Sequence, residues 1–272
     1  MSTKDTVRIY GNSPIKAFVI HGGPGAPGYM APVARELSKA FGVVEPLQTK
    51  NTLKGQIQEL HDQITEYSER PVCMIGSSWG ATLALLYASE HPEMLAKVVL
   101  IGSCVYDAES SEKVKEIRSE RMSVSTKKRL QDLTGKIELN QDTKNKYFSE
   151  AADCFFESDT YDPISTDLEV IECQYEINKS VWSDFKVIRD SSNDLKRIFS
   201  KIKIPVVNIH GDYDPHIIDG IQPFLEESID NIKLYTLKKC GHYPWIERSA
   251  KDDFYKILLN EIEEENMGKK ID

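Results

Sequence analysis

Four short apolar runs in the first hundred residues, each bounded by turn residues, limit this chain to very few architectures. They are KAFVI (16–20), VVEPL (43–47), VCMIG (72–76) and KVVLIG (97–102). Continuous apolarity over five or six residues predicts strands buried on both faces, the habit of a parallel sheet. Helical patterns fill the gaps. In LKGQIQELHDQITEYS the apolar residues Leu53, Ile57, Leu60, Ile64 and Tyr67 recur every three or four positions and form one stripe. The alternation resumes after residue 200 with IPVVNIHG and IKLYTLKKCGH as strands, then DFYKILLNEIEEENM as a terminal helix with Phe254, Leu258 and Ile262 in register. The pattern predicts an α/β fold: a mostly parallel central sheet with helices on both faces.

The stretch between breaks this rhythm. Residues 104–199 are charge-rich and poor in strand-like runs, and they read as amphipathic helices in SEKVKEIRSERM, NKYFSEAADCFFES and DLEVIECQYEIN. The expected layout is a core from 1–103 and 200–272 with a helical cap, or lid, inserted over 104–199. A length of 272 residues suits a core domain carrying such an insertion. Net charge −9 argues against a nucleic-acid surface, which needs clustered Lys and Arg. No apolar run nears the ~20 residues that span a bilayer, and MSTKDTVRIYG lacks the apolar core of a secretory signal. Five scattered cysteines without a C-x-x-C pair read as reduced thiols in a cytoplasm, not as disulfides or a zinc site. No metal and no organic cofactor is expected.

In sheets of this kind, chemistry sits beyond the carboxyl ends of the strands. After VCMI comes Gly76-Ser77-Ser78-Trp79-Gly80, a G-x-S-x-G knot between a strand and a helix. A serine on so sharp a turn needs neighbours without side chains two residues away, which marks Ser78 as a nucleophile. After KAFVI comes His21-Gly22-Gly23-Pro24-Gly25, whose backbone can approach a substrate closely. The N–H groups of Gly23 and Trp79 are the candidate oxyanion donors. His21 reads as a brace for that loop. After IPVVNIHG come Asp212 and Asp214, and after LYTLKKCG comes His242. The order Ser78, acid, His242 gives a proton shuttle and the carboxylate that orients it. Asp214, further into its loop, is preferred as that carboxylate, and Asp212 reads as a loop brace. His216 is a candidate pocket residue; His61 and His91 read as structural.

HGGPG, GSSWGATLALLYASEHPE, HGDYDP and CGHYPWIE in this order resemble the α/β-hydrolase superfamily, and most closely its prolyl iminopeptidase-like branch. The resemblance covers roughly 15–103 and 200–260. It implies Ser78 as nucleophile, Asp214 as acid, His242 as base, and Gly23 with Trp79 as oxyanion hole. In prolyl iminopeptidases, cap glutamates, one of them in a Trp-Glu segment, bind a free amino terminus. Here Trp182 alone lies in the insertion, followed by Ser183, and it is kept as a candidate substrate contact. Asp167, Glu169, Glu172 and Glu176 are acids that such an ammonium would need, though a charge run of this kind reads more simply as a solvated helix face. The expected activity is therefore a serine hydrolase cleaving a small ester or amide, with a small molecule or short peptide as its partner. The alternatives are an iminopeptidase-type aminopeptidase, a carbon–carbon bond hydrolase, and a non-catalytic receptor.

Overall fold

The computed structural model describes residues 6–69, 71–139, 142–164, 169 and 171–267. Its centre is a seven-stranded sheet of β1 (Val7–Tyr10), β2 (Ile15–Ile20), β3 (Gly42–Pro46), β4 (Val72–Ser77), β5 (Leu95–Ile101), β6 (Val206–Gly211) and β7 (Ile232–Leu237). The spatial order is β1-β3-β2-β4-β5-β6-β7. Only β1 runs antiparallel, against β3; every other pairing is parallel. The α/β class expected from the apolar runs is the observed one.

Alternate strand residues feed two cores. Phe18, Ile20, Met74, Val98 and Leu100 face one side, where α2 (Leu53–Tyr67) and α3 (Trp79–Glu90) cover them. Ala17, Val19, Ile75, Val99 and Ile209 face the other, against α1 (Ala31–Leu37) and α11 (Lys251–Met267). The α2 stripe of Leu53, Ile57, Leu60 and Ile64 is buried throughout. Each such side chain contributes roughly 1.5–3 kcal/mol. The helix starts where the Thr52 hydroxyl accepts the Gly55 N–H at 3.1 Å, satisfying a first-turn donor.

Between β5 and β6 the chain passes through α4 (Ala108–Arg121), α5 (Val124–Leu139), α6 (Lys144–Cys154), α7 (Phe156–Asp159), α8 (Tyr175–Arg189) and α9 (Ser192–Phe199). One expectation fails here. Of the segment DLEVIECQYEIN, Asp167, Leu168 and Val170 lie outside the described residues; among the rest, the helix begins at Tyr175, and Glu169 with the 171–174 stretch is irregular. Its backbone bonds outward instead: Ile171 N–H donates to Pro27 O at 3.1 Å and Gln174 N–H to Gly25 O at 2.6 Å. Long-range pairing with a glycine-rich loop has overridden local helical periodicity. The remaining helix, α10 (Ile218–Ser228), joins β6 to β7.

Candidate active site

Five strands deliver side chains or loops to one end of the sheet. At the tip of β4, Ser78 adopts φ 53° and ψ −117°, a conformation that costs an L-residue about 1–3 kcal/mol. The turn leaves no room for a side chain two residues away on either side. A Cβ on Gly76 would lie 2.2 Å from Gly80 O, and one on Gly80 would lie 2.4 Å from Ile20 O. Ser78 N–H donates to Ile101 O at 2.9 Å, which ties the turn to β5. The first turn of α3 starts at Trp79, so the positive end of that helix lies at the serine.

The loop after β2 presses on the same residue, since a Cβ at Gly22 would stand 3.1 Å from Ser78 Cβ. Gly23 has φ 51°, open to glycine and costly for other residues. His21 is fully buried; its Nδ1 pairs with Gly22 O at 2.9 Å and its own carbonyl accepts from Gln48 Nε2 at 3.2 Å. Burial lowers its pKa, so the ring is a neutral brace. Among the described residues, the N–H groups of Gly23 and Trp79 have no hydrogen-bond acceptor.

Asp214 and His242 meet at the ends of β6 and β7. His242 Nδ1 lies 2.7 Å from Asp214 Oδ2. The other carboxylate oxygen accepts from His216 N at 2.8 Å and pairs with His216 Nδ1 at 2.9 Å. His210 adds a third imidazole, with Nε2 3.5 Å from Oδ2. Burial alone would raise the Asp214 carboxyl, but His242, His210 and His216 outweigh it and hold the group well below the usual carboxylate range. Burial takes His216 down to about 4 against the pull of Asp214, so it is neutral near pH 7. Asp212 does something else: its Oδ1 accepts from Cys240 N–H at 3.3 Å, bracing the loop after β7.

Ser78 does not point at His242 in this structure. Among the described residues no hydrogen bond joins them, and the Ser78 hydroxyl faces Cys104 Sγ at 3.7 Å. The two groups nevertheless flank one turn, residues 102–104. A Cβ on Gly102 would stand 3.0 Å from His242 Nδ1 and 3.2 Å from Asp214 Oδ2, while Cys104 touches the serine. Hydrogen bonds of this kind are commonly long or poorly aligned without substrate. Burial pushes the Cys104 thiol up to about 11, so it stays protonated beside the serine.

Sequence reasoning missed several of these contacts. Cys104 and Gly102 follow β5, a strand end that carried no motif. Glu247, fully buried, accepts three backbone N–H groups: Tyr161 at 2.8 Å, Asp162 at 2.8 Å and Gly241, next to His242, at 2.9 Å. His242 N–H donates to Asp159 O at 2.7 Å. Arg118 clamps the Asp159 carboxylate at 2.9 and 2.5 Å. Arg121 donates to Tyr213 O at 2.6 Å and lies 3.6 Å above that ring. The expected pocket residues part company. His216 stacks on His242 with ring centroids 4.6 Å apart, whereas Trp182 packs on Trp79 and Phe185 in the larger core.

Of the acids that an ammonium would need, those described are engaged or outward. Glu169 pairs with Arg35 and lies 3.8 Å from Arg8; Glu176 pairs with Lys144; Glu172 is exposed; Asp167 lies outside the described residues. A cavity of about 340 Å³ between α4 and α10, lined by Asp107, Lys113, Lys196 and Phe224, shares no residue with the Ser78 site. Ser110 is in its lining, but no histidine stands there to activate it, unlike at the strand ends.

Comparison with known proteins agrees with the fold. The family model described as alpha/beta hydrolase fold matches residues 56–249. A proline iminopeptidase of Thermoplasma volcanium is 23% identical over 276 residues, covering 93% of this chain and 90% of the relative. Among solved structures, VinJ superposes with a TM-score of 0.67 at 17% identity, over 95% of this chain and 94% of its own. A proline iminopeptidase of Mycobacterium smegmatis gives 0.63 at 16% identity, over 96% and 95%. The meta-cleavage product hydrolase of Pseudomonas fluorescens gives 0.60 at 18% identity, over 96% and 94%.

Proposed function

This chain belongs to the alpha/beta hydrolase fold family, and from that premise we propose that it is a serine hydrolase cleaving a small ester or amide through an acyl-enzyme. The observation that carries the reading is the strained Ser78 turn sharing residues 102–104 with a buried Asp214–His242 pair. In the proposed cycle, Ser78 Oγ attacks the acyl carbon while His242 Nε2 takes its proton. Asp214 fixes the imidazole with its proton on Nδ1 and stabilises the imidazolium. The N–H groups of Gly23 and Trp79 receive the oxyanion, and the field of α3 favours the negative charge. His242 returns the proton to the leaving group. Water then repeats the sequence against the acyl-enzyme and frees Ser78. The insertion of residues 104–199 would act as the lid that sets substrate size.

A second reading is favoured by the iminopeptidase relative, which is similar along almost the whole chain. Against it stand the cap acids. Glu169 and Glu176 pair with cations, Glu172 is exposed, and the buried Asp159 is neutralised by Arg118. Ester or amide acyl transfer without an ammonium requirement therefore ranks first. Among the described residues no helix is long and apolar enough to cross a membrane. The five cysteines are free and buried, which supports a reducing cytoplasmic setting.

The test is labelling by a fluorophosphonate probe, wild type against Ser78→Ala, followed by a panel of nitrophenyl esters and aminoacyl nitroanilides. Labelling lost in the variant and turnover of esters support the proposal. Equal labelling of both proteins removes it, and a preference for prolyl nitroanilide shifts it to the aminopeptidase.

A further inference from the structure

One carboxylate, Asp214, grips two imidazoles. Its Oδ2 holds His242 Nδ1 at 2.7 Å and its Oδ1 holds His216 Nδ1 at 2.9 Å. An ionised carboxylate only accepts, so each ring donates its Nδ1–H and keeps its lone pair on Nε2. The rings stack with centroids 4.6 Å apart and planes 27° apart. With both Nδ1 atoms turned to the one carboxylate, neither ring uses its Nε2 on Asp214. Neither Nε2 has a hydrogen-bond partner among the described residues. Nor is either among the sealed, unpartnered polar atoms of the interior, which include His21 Nε2 and His210 Nδ1.

Histidines that ligate metals characteristically give their second ring N–H to a carboxylate, which fixes the tautomer and strengthens the donor nitrogen. Here a single carboxylate does so twice, and donor atoms of Asp214, His216 and His242 lie within 4.8 Å of one another. We propose that His216 and His242 form a two-imidazole site for a borderline divalent cation of the zinc class, held through both Nε2 atoms with Asp214 behind them, and that occupancy reversibly stops catalysis. Zinc–nitrogen bonds of about 2.0–2.1 Å at a tetrahedral angle need the two nitrogens about 3.4 Å apart. Stacked rings with centroids 4.6 Å apart reach that arrangement by tilting toward one another until both lone pairs meet the ion. Imidazole pairs favour zinc, copper or nickel over magnesium and calcium, which prefer oxygen. The inhibitory half rests on the proposed function, because the ion occupies the lone pair His242 would use as base. The binding half rests on geometry alone.

Calorimetric titration of the Ser78→Ala protein with zinc chloride and with magnesium chloride separates the two halves. The expected result is one zinc per chain, no response to magnesium, and at least tenfold weaker binding in His216→Asn. The half-buried His61–His91 stack, with centroids 4.2 Å apart, is the competing site, so His91→Asn is made in parallel. In the unsubstituted chain, zinc should slow diethyl pyrocarbonate modification of His216 and His242, which tests the site even if the variant fails to fold. Wild-type probe labelling should fall as zinc saturates and recover with chelator. Zinc binding that survives His216→Asn, vanishes in His91→Asn, or leaves both histidines open to modification overturns the site. An inert enzyme that still binds zinc through His216 overturns the serine hydrolase reading and spares the site.

Discussion

Glu247→Gln is the perturbation that probes the active-site architecture most sharply. The carboxylate is fully buried with three backbone donors: Tyr161 and Gly241 N–H on Oε1, Asp162 N–H on Oε2. A glutamine oriented with its oxygen at the Oε1 position keeps two acceptor bonds in weaker, uncharged form and turns an NH₂ toward the Asp162 N–H. Charge-assisted bonds contribute about 1.5–3 kcal/mol each, and an unpaired buried donor costs about 1–3 kcal/mol. The variant should therefore lose roughly 3 kcal/mol. At about 2–4 °C per kcal/mol for chains of this size, the melting temperature should fall by roughly 6–12 °C. Because Gly241 precedes His242, labelling of Ser78 by the probe should also slow by about tenfold or more at a temperature where the variant is folded. The control is Glu261→Gln. Glu261 is equally buried but accepts from Lys97 at 3.1 Å and Tyr235 at 2.6 Å, and Lys97 lies near the start of β5, at the opposite end from Ser78. That variant should lose stability and label normally. Should Glu247→Gln melt within 1 °C of wild type, or label at the wild-type rate, the carboxylate does not hold the histidine loop and the reasoning fails.

Three further outcomes follow from the same geometry. Asp214→Asn should lower kcat by about 10⁴-fold with the fold retained, because an amide no longer enforces a proton on His242 Nδ1; a loss under tenfold in ester hydrolysis would refute that role. Gly102→Ala should cut activity by at least tenfold, since its Cβ would lie 2.8 Å from His242 O and 3.0 Å from Nδ1 at φ 52°; unchanged turnover would show that the turn yields freely. Burial lowers His216 to about 4 and also lowers His210 and His21, so the unfolded chain gains protons near pH 6.5 that the folded chain refuses. Stability should then fall as pH drops from about 6.5 towards 4, with His216 accounting for about 3 kcal/mol. Urea midpoints flat from pH 7 to 5, or as steep in His216→Gln, would contradict this.

What could be read beforehand was local. The strands announced themselves through apolar runs, and the Ser78 turn through glycines whose spacing is fixed by crowding within five residues. His242 and Asp214 were readable because each follows a recognisable strand. Glu247 lies inside CGHYPWIE, yet its work is done on Tyr161 and Asp162, 86 and 85 positions away. No periodicity encodes such a bond. Cys104 was visible only as a scattered cysteine, since nothing in one dimension brings the end of β5 beside the end of β4. The helix expected over DLEVIECQYEIN failed for the same reason. Its register is decided by Gly25 and Pro27, far earlier in the chain.

The segment between β5 and β6 grips the loops on both flanks of Ser78. Gln174 and Ile171 bond the loop of Gly25 and Pro27, Asn178 Nδ2 reaches Pro24 O at 3.0 Å, and Asp159 to Ile164 run against the loop from Gly241 to Arg248. Such a part is not an interchangeable accessory. Replacing or excising the segment between β5 and β6 would slacken the loops on both sides of Ser78, so redesign should change side chains within it and not trade it whole.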